Sequence, residues 1–494
     1  MDLLPFALSW TPVLLLAVLA VAFKRSALEL SLYGLGFTAA LAYLAFRTPL
    51  SVIFLAGLDG VVTTLPLLLV VLAGILLCNL LVAAGAIDRL VAWFLQGLRH
   101  PRHRHLFIAL GIGNFMEGAS VIAEPIVAPM LRAAGVSPAG AAALSIIGYA
   151  GLMSLEMAGI IITVLALVTG LPLMDLAVAT AWLSVPAVLA MAACIPWFLP
   201  PADGGWRLLP EALGAGLLVG LVVLAAVLTV GVALSGMVGG LALMGVLLLL
   251  GPRRHNFSLQ IGRDLLPFAC IFVPLLLVNT VPWLHDLTSR RWVFDVRLVP
   301  IHQITLTPCF SAYLYLFLAL GVALAIFREV QRRPVLATGL SQGWRALTAM
   351  GLFGAMGQII AYSGYAQGFV SLTEAHNIPW VLAMGLKAYT GSLYPVFVPL
   401  LGWVGTFLTG YGVASLMLFG DLQVHAAALL NVSAVYLAAG LTVGAALGSI
   451  SSPFKIAIAA PMCGALGQEG RILRRTIPLG LAASCLIGLI LWAL

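Results

Sequence analysis

Long apolar runs separated by short clusters of charge set the pattern of this chain. A helix of about 17–25 apolar residues matches the hydrocarbon thickness of a bilayer. By that measure the sequence predicts spanning helices near 5–23, 28–46, 61–85, 139–170, 176–199, 210–232, 234–250, 262–283, 309–327, 347–372, 434–469 and 475–494. Two further apolar stretches, 105–133 and 395–427, are interrupted midway by Gly, acidic and hydroxyl residues. Each reads as helix, Gly-containing turn, helix, and so as a re-entrant hairpin (HP1 and HP2) rather than a full crossing. A shorter amphipathic segment precedes each, 87–99 and 379–392, of a kind that can lie along a membrane surface. The first run opens MDLLPFALSW, without a basic leader, and is read as a span rather than a cleaved signal.

The two interrupted stretches resemble one another. Gly113, Phe115 and Gly118 align with Gly405, Phe407 and Gly410 at one constant offset, and Val136-Ser137 with Val432-Ser433 at a slightly longer one. Polar and helix-breaking residues are costly at membrane depth. Their pairing in two halves of a chain points to a transporter's binding site. The expected organisation is an inverted repeat: residues 1–200 with HP1, a linker of two spans over 201–258, and residues 259–494 with HP2.

Composition agrees. Of 494 residues 62% are hydrophobic and 8% charged, against about 25% charged in soluble domains, so the fold expected is an all-α polytopic membrane protein. The net charge of +7 is spread over short loops and does not suggest a nucleic-acid surface. With Lys24 and Arg25 cytoplasmic, the positive-inside rule also places Arg99, Arg102, Arg104, Arg132, Arg207, Arg253, Arg254, Arg263, Arg328, Arg332, Arg333, Arg345, Arg471, Arg474 and Arg475 inside. Arg47 and the loop 284–308, with Arg290, Arg291 and Arg297, are the exceptions. The agreement requires each hairpin to enter and leave on one side, HP1 from the cytoplasm and HP2 from outside. The six Cys show no metal-ligand spacing, and buried thiols are expected.

Candidate chemistry gathers at the interruptions. Gly448-Ser449-Ile450-Ser451-Ser452-Pro453 breaks span 434–469, and Ser before Pro signals a new helix start. A helix starting inside the membrane aims free N–H groups and partial positive charge inward, which suits an anion; a packed Pro kink is the structural alternative. The matching place in span 139–170 is Ser154-Leu155-Glu156. The HP1 turn carries Glu117, Gly118 and Ser120, with Glu117 able to cap the second arm or bind a coupling cation. Glu124, seven residues on, is expected two turns along the same helix face. The HP2 turn carries Thr409, Gly410 and Tyr411, followed by Ser415, with hydroxyls for a carboxylate; Tyr411 either closes the pocket or packs. Lys455 either holds the substrate anion or pairs with Glu124 or Glu156. Lys387, Asp421 and His425 are expected at membrane edges. The substrate-binding candidates are thus Gly118, Ser120, Thr409, Gly410, Tyr411, Ser415, Ser451, Ser452 and Lys455, and the proton or ion candidates Glu117, Glu124 and Glu156.

At FMEGAS (115–120), LALVTGLPL (165–173), GWVGTFLTG (402–410), LFGDLQVHAA (418–427) and SSPFKIAIA (451–459) the chain resembles the lactate permease family of bacterial carboxylate symporters. The resemblance implies a carrier in the bacterial inner membrane that moves lactate, glycolate or a similar 2-hydroxy-monocarboxylate with protons, through an elevator-like or rocking hairpin domain. It carries over Glu117, Gly118, Pro125, Thr409, Gly410, Ser415, Ser452 and Pro453 by motif. The chain departs from the pattern at the HP2 tip, Tyr411-Gly412-Val413-Ala414, where the family has an acid and hydroxyls, and after the HP1 glycine, at Ser120-Val121-Ile122-Ala123-Glu124. Glu156 and Lys455 are charges where neutral residues are expected.

Two other readings compete: a sodium-coupled carrier of another carboxylate, and a proton-translocating subunit of a respiratory complex. The latter would spread Lys and Glu along one axis of many spans, whereas these charges cluster at the repeats. A membrane-embedded enzyme lacks support: no HExxH, GxSxG or phosphate-cradling Gly loop is present, and no cofactor is implied.

Overall fold

A computed structural model describes residues 3–23, 25–96, 101–199, 205–250 and 258–494. Lys24, Arg99, Arg253 and Arg254, used above for orientation, lie outside the described residues, as does the end of the segment 87–99. The first half contains α1 (Leu3–Val21), α2 (Ala27–Leu44), α3 (Leu50–Ala83) and the amphipathic α4 (Ala86–Gln96). There follow α5 (Pro101–Leu106), a π-turn over Phe107–Ile112, α6 (Gly113–Gly118), α7 (Glu124–Ala133), α8 (Pro138–Ala150), α9 (Ile160–Thr169) and α10 (Leu173–Cys194). Helices α11 (Leu209–Thr229) and α12 (Val232–Leu249) lead to α13 (Leu259–Thr280) and α14 (Pro282–Asp286). The strands β1 (Phe294–Val299) and β2 (His302–Leu306) precede α15 (Ala312–Ile326), α16 (Arg332–Ala361), α17 (Ile378–Thr390), α18 (Tyr394–Thr409), α19 (Gly412–Leu430), α20 (Ala434–Gly448), α21 (Pro453–Met462) and α22 (Glu469–Ala493). Ten helical segments among the described residues are long and apolar enough to cross a membrane. The protein is a predominantly helical, polytopic membrane protein.

Local chemistry fixes where helices begin. Ser26 and Glu29 form a reciprocal capping box at α2. Ser137, Ser258, Asn377, Ser433 and Ser452 each accept an N–H from the residue three positions on, at the starts of α8, α13, α17, α20 and α21. Close packing of helices relies on small residues, as expected where water provides no drive for helix association. At the α18–α20 crossing a Cβ on Gly402 would meet the Leu441 carbonyl oxygen at 2.1 Å, and one on Gly444 the Pro399 carbonyl oxygen at 2.0 Å.

Several expectations need correction. The fold is helical as expected, and the loop 284–308 adds a short two-stranded antiparallel hairpin pairing Phe294 with Leu306 and Val299 with His302. The run placed at 61–85 extends over Leu50–Ala83, because Asp59-Gly60, a turn signal in isolation, is buried against α16 inside a continuous helix. The run placed at 347–372 is instead Arg332–Ala361. The chain turns out of that helix because Asn377 Nδ2 donates to the Ala361 and Ser363 carbonyls at 3.0 and 2.9 Å, satisfying its last groups. The segment 379–392 forms α17, which buries one face against α19 and α1.

Both interrupted stretches are helical hairpins. His105 Nε2 lies 3.2 Å from the Ala134 carbonyl oxygen, so the chain returns beside its point of entry. Tyr394 O–H donates to Gln423 Oε1 at 2.9 Å and Ser415 O–H to the Gly402 carbonyl at 2.9 Å, so α18 and α19 run antiparallel in contact.

The α18–α20 crossing carries a stability prediction. Gly444→Ala forces backbone apart and should cost about 1–3 kcal/mol, read as a lower thermal midpoint of purified protein. Gly214→Ala in α11, where nothing lies within 4 Å of the added methyl, should hold or slightly raise the midpoint, since Ala favours the helix over Gly.

Candidate functional site

The start of α21 is the place where the two hairpins meet. Ser452 accepts the Lys455 N–H at 3.4 Å, and Pro453 occupies the first helical turn, where a missing N–H costs nothing. Phe454 packs against the HP2 tip: its ring lies 4.9 Å from that of Tyr411, and its Cβ would stand 2.8 Å from a methyl on Gly410. Gly410 adopts φ 84, a left-handed conformation that glycine tolerates, and this ends α18. Lys455 turns the other way, toward HP1. Its Nζ donates to Tyr149 Oη at 2.7 Å and lies 3.4 Å from Glu124 Oε1. Tyr149 O–H donates in turn to Glu124 Oε1 at 2.5 Å. One half-buried cation thus links the second arm of HP1, the end of α8 and the start of α21.

HP1 turns differently from the sequence expectation. Glu117 and Glu124 do not share a helix face: α6 ends at Gly118, and five residues intervene before α7. The turn forms because Ser120 takes φ 60 and Glu117 Oε1 accepts the Ala123 N–H at 2.8 Å, occupying a donor at the start of α7. Glu117 therefore acts as a cap, one of the two roles open to it. Gly118 sits against α12, where a methyl would meet Met237 N at 2.4 Å. The Ser120 hydroxyl is buried without a hydrogen-bond partner.

The break between α8 and α9 is sharper than a kink. After Glu156 the residues Met157, Ala158 and Gly159 take φ of 52, 53 and 74. Left-handed backbone at two non-glycine residues in succession is strained and clusters at functional sites. Glu156 is fully buried, its side chain lies against Gly236 of α12, and neither carboxylate oxygen has a hydrogen-bond partner. Met153, just before the break, reaches the HP2 tip, where its Cε would stand 2.7 Å from a methyl on Gly412.

Three further candidate hydroxyls, those of Thr409, Ser415 and Ser451, are engaged by backbone. Thr409 O–H donates to the Gly405 carbonyl at 2.7 Å and its oxygen accepts the Tyr411 N–H at 3.3 Å. Ser415 O–H bridges the two arms of HP2, as above, and Ser451 O–H donates to the Thr476 carbonyl at 3.1 Å. Tyr411 is packed and its hydroxyl has no partner. Lys387 donates to the Leu429 carbonyl at 2.9 Å, and His425 lies 3.3 Å from Asp421. All six cysteines are free, and no metal-ligating cluster occurs among the described residues.

Sequence reasoning missed Tyr149. Its signal is weak: a lone aromatic in Gly148-Tyr149-Ala150-Gly151, just before the break, reads as packing. It also missed a cavity of about 400 Å³ that reaches Thr409, Gly410, Tyr411, Pro453 and Phe454, with Arg25 and Arg345 among its other walls.

A sequence model of the family described as L-lactate permease matches residues 5–255 and 265–494. The glycolate permease GlcA of Escherichia coli strain K12 is 27% identical, covering 91% of this chain and 88% of that protein. The L-lactate permease of Streptococcus iniae is 26% identical over 78% of this chain and 82% of its own length. That of Halalkalibacterium halodurans is 25% identical over 94% and 92%. Among solved structures, MtrF of Neisseria gonorrhoeae covers 96% of both chains at 15% identity with a TM-score of 0.47.

The ion pair at α21 gives a stability prediction. Removing one partner of a buried pair strands the other, at a cost of about 3–5 kcal/mol. Lys455→Met should therefore lower the thermal midpoint strongly, and Lys455→Met/Glu124→Gln should recover much of the loss.

Proposed function

The chain belongs to the L-lactate permease family, and on that premise we propose that it is a proton-coupled symporter of a small 2-hydroxy-monocarboxylate, lactate or glycolate, in the bacterial inner membrane. The names of the relatives support the substrate class. The coupling rests on one observation, the charge balance at the hairpin tips. Glu117, Glu124 and Glu156 are three buried acids beside one half-buried base, Lys455. With all four ionised the region is net negative and repels a carboxylate; every proton it accepts makes it more hospitable to one. An anion and a proton are then bound together because neither suits the site alone.

The three acids divide by their surroundings. Glu117 is held by the Ala123 N–H and Glu124 by Tyr149 and Lys455. Glu156 has no partner for either oxygen. A buried carboxylate without hydrogen bonds is tolerable chiefly when a proton neutralises it, so Glu156 is assigned as the proton carrier. The substrate carboxylate is assigned to the α21 start and the HP2 tip, at Ser451, Ser452, Thr409, Gly410, Tyr411 and Ser415, with Gly118 and Ser120 closing from HP1. Lys455 shifts from Glu124 toward the anion, while Glu124 keeps its hydrogen bond from Tyr149. The hydroxyls now bonded to backbone carbonyls can also accept, and turn toward the anion when it arrives.

In this reading HP1 and HP2 are re-entrant and oppositely inserted, within an inverted repeat of residues 1–200 and 259–494 joined through 201–258. The hairpins move with α8–α9 and α20–α21 to alternate access. The cavity beside Arg25 and Arg345 suits release toward the cytoplasm, where the Arg345 guanidinium attracts the departing anion while Arg25 is paired with Glu29.

Uptake into proteoliposomes tests this. Lactate and glycolate should accumulate under an inwardly directed proton gradient, and a protonophore should abolish accumulation. Glu156→Gln should lose acid-driven accumulation by tenfold or more yet retain exchange of labelled for unlabelled substrate. Accumulation that follows a sodium gradient and ignores pH, or no uptake of either acid, would overturn the reading.

A further inference from the structure

A second buried acid–base group lies away from the hairpin tips and has no part in the reading above. Asp59, within α3, is fully buried. His302, at the tip of the β1–β2 hairpin, places Nδ1 2.7 Å from Asp59 Oδ2 and Nε2 2.9 Å from the carbonyl oxygen of Leu167 near the end of α9. Tyr362 O–H also donates to Asp59 Oδ2, at 3.3 Å. Asp59 Oδ1 has no partner.

The donors and acceptors can be counted. A backbone carbonyl only accepts, so Nε2 must carry a hydrogen. An ionised carboxylate also only accepts, so Nδ1 must carry one too, and His302 is then an imidazolium. If instead His302 is neutral, the hydrogen between it and Asp59 belongs to the carboxyl. Either way the pair contains a proton beyond neutral imidazole plus carboxylate, and losing it breaks one of the two contacts. The same contacts fasten the hairpin. Beyond those contacts only Val299 and Ile304 of the two strands are buried, Val299 against Val52, Ile53 and Ala56 of α3.

We propose that Asp59 and His302 form a proton-binding site separate from the transport site, and that loss of its proton unfastens the β1–β2 hairpin from α3 and α9. The end of α9 is thereby tied to α3 in a proton-dependent way, while the start of α9 follows the Glu156 break. Other titratable groups facing the site are few. Tyr362 and Tyr365 come from the turn after α16, Asp421 of α19 acts on both tyrosines and pairs with His425, and the hairpin itself carries Asp295 and Arg297. Asp295 is bonded to Thr305 and Arg297 to Gln303. Burial disfavours the His302 cation, but the hydrogen bond and charge of Asp59 outweigh it, so the imidazole sits above its ordinary 6.5. A raised group contributes its full stabilisation below the ordinary value and loses it as pH climbs through the raised one. The clasp therefore holds below pH 6.5 and opens as pH climbs past the raised value.

Amide hydrogen exchange of the purified full chain tests this without transport. For residues 294–306 the rate relative to the unstructured rate should be flat in acid. Above a midpoint it should rise about tenfold per pH unit, as release of a single proton requires. His302→Gln should abolish the slope, and His425→Gln should keep it. A flat ratio in the wild-type chain from about pH 6 to about pH 10, or an unchanged slope in His302→Gln, would overturn the proposal; failure of acid-driven uptake would not touch it.

Discussion

A peptide N–H or C=O left bare in an apolar interior costs several kcal/mol, and that constraint governs where this chain can be interrupted. Three of the breaks come with a device that deals with the freed groups. Ser452 and Pro453 do so at α21, the Glu117 carboxylate at α7, and Thr409 with a left-handed Gly410 at the HP2 tip. The fourth break, after Glu156, is made by strained left-handed residues instead. The four lie close together because Phe454, Lys455 and Met153 each reach from one to another. Small residues make this possible: Gly118 and Gly236 let HP1 approach α12 nearly backbone to backbone.

The electrostatics follow from the same crowding. Bringing helix starts together accumulates partial positive charge, and the buried acids answer it. Lys455 is neutralised by Glu124 through Tyr149, while Glu156 has no counterpart. Under the proposed function, more acids than bases let the site bind an anion and a proton together. The Asp59–His302 pair applies a similar economy at the opposite end of α9, where a proton serves as fastener and not as cargo.

Much of this was legible in the sequence. The apolar runs, both interrupted stretches, the Ser-Pro helix start and the acids at the tips are local signals with local causes. What escaped depends on tertiary contact. Asp59-Gly60 looks like a turn until α16 covers it, and the end of α16 is set by Asn377, well along the chain. Glu117 and Glu124 share a helix face only if Ser120 stays helical, and it does not. Tyr149 carries no signature of its own, since a tyrosine among glycines and alanines gains its role only from the Lys455 and Glu124 that reach it. The β1–β2 hairpin was hidden in a polar loop whose docking depends on His302.

The central claim is that the hairpin tips accept an anion only together with a proton. Calorimetric titration of purified protein with glycolate, repeated in buffers of different ionisation enthalpy, counts protons taken up on binding. Net uptake that disappears in Glu156→Gln is the predicted result. Binding of the same anion with no proton exchanged across the pH range would contradict the account at its base.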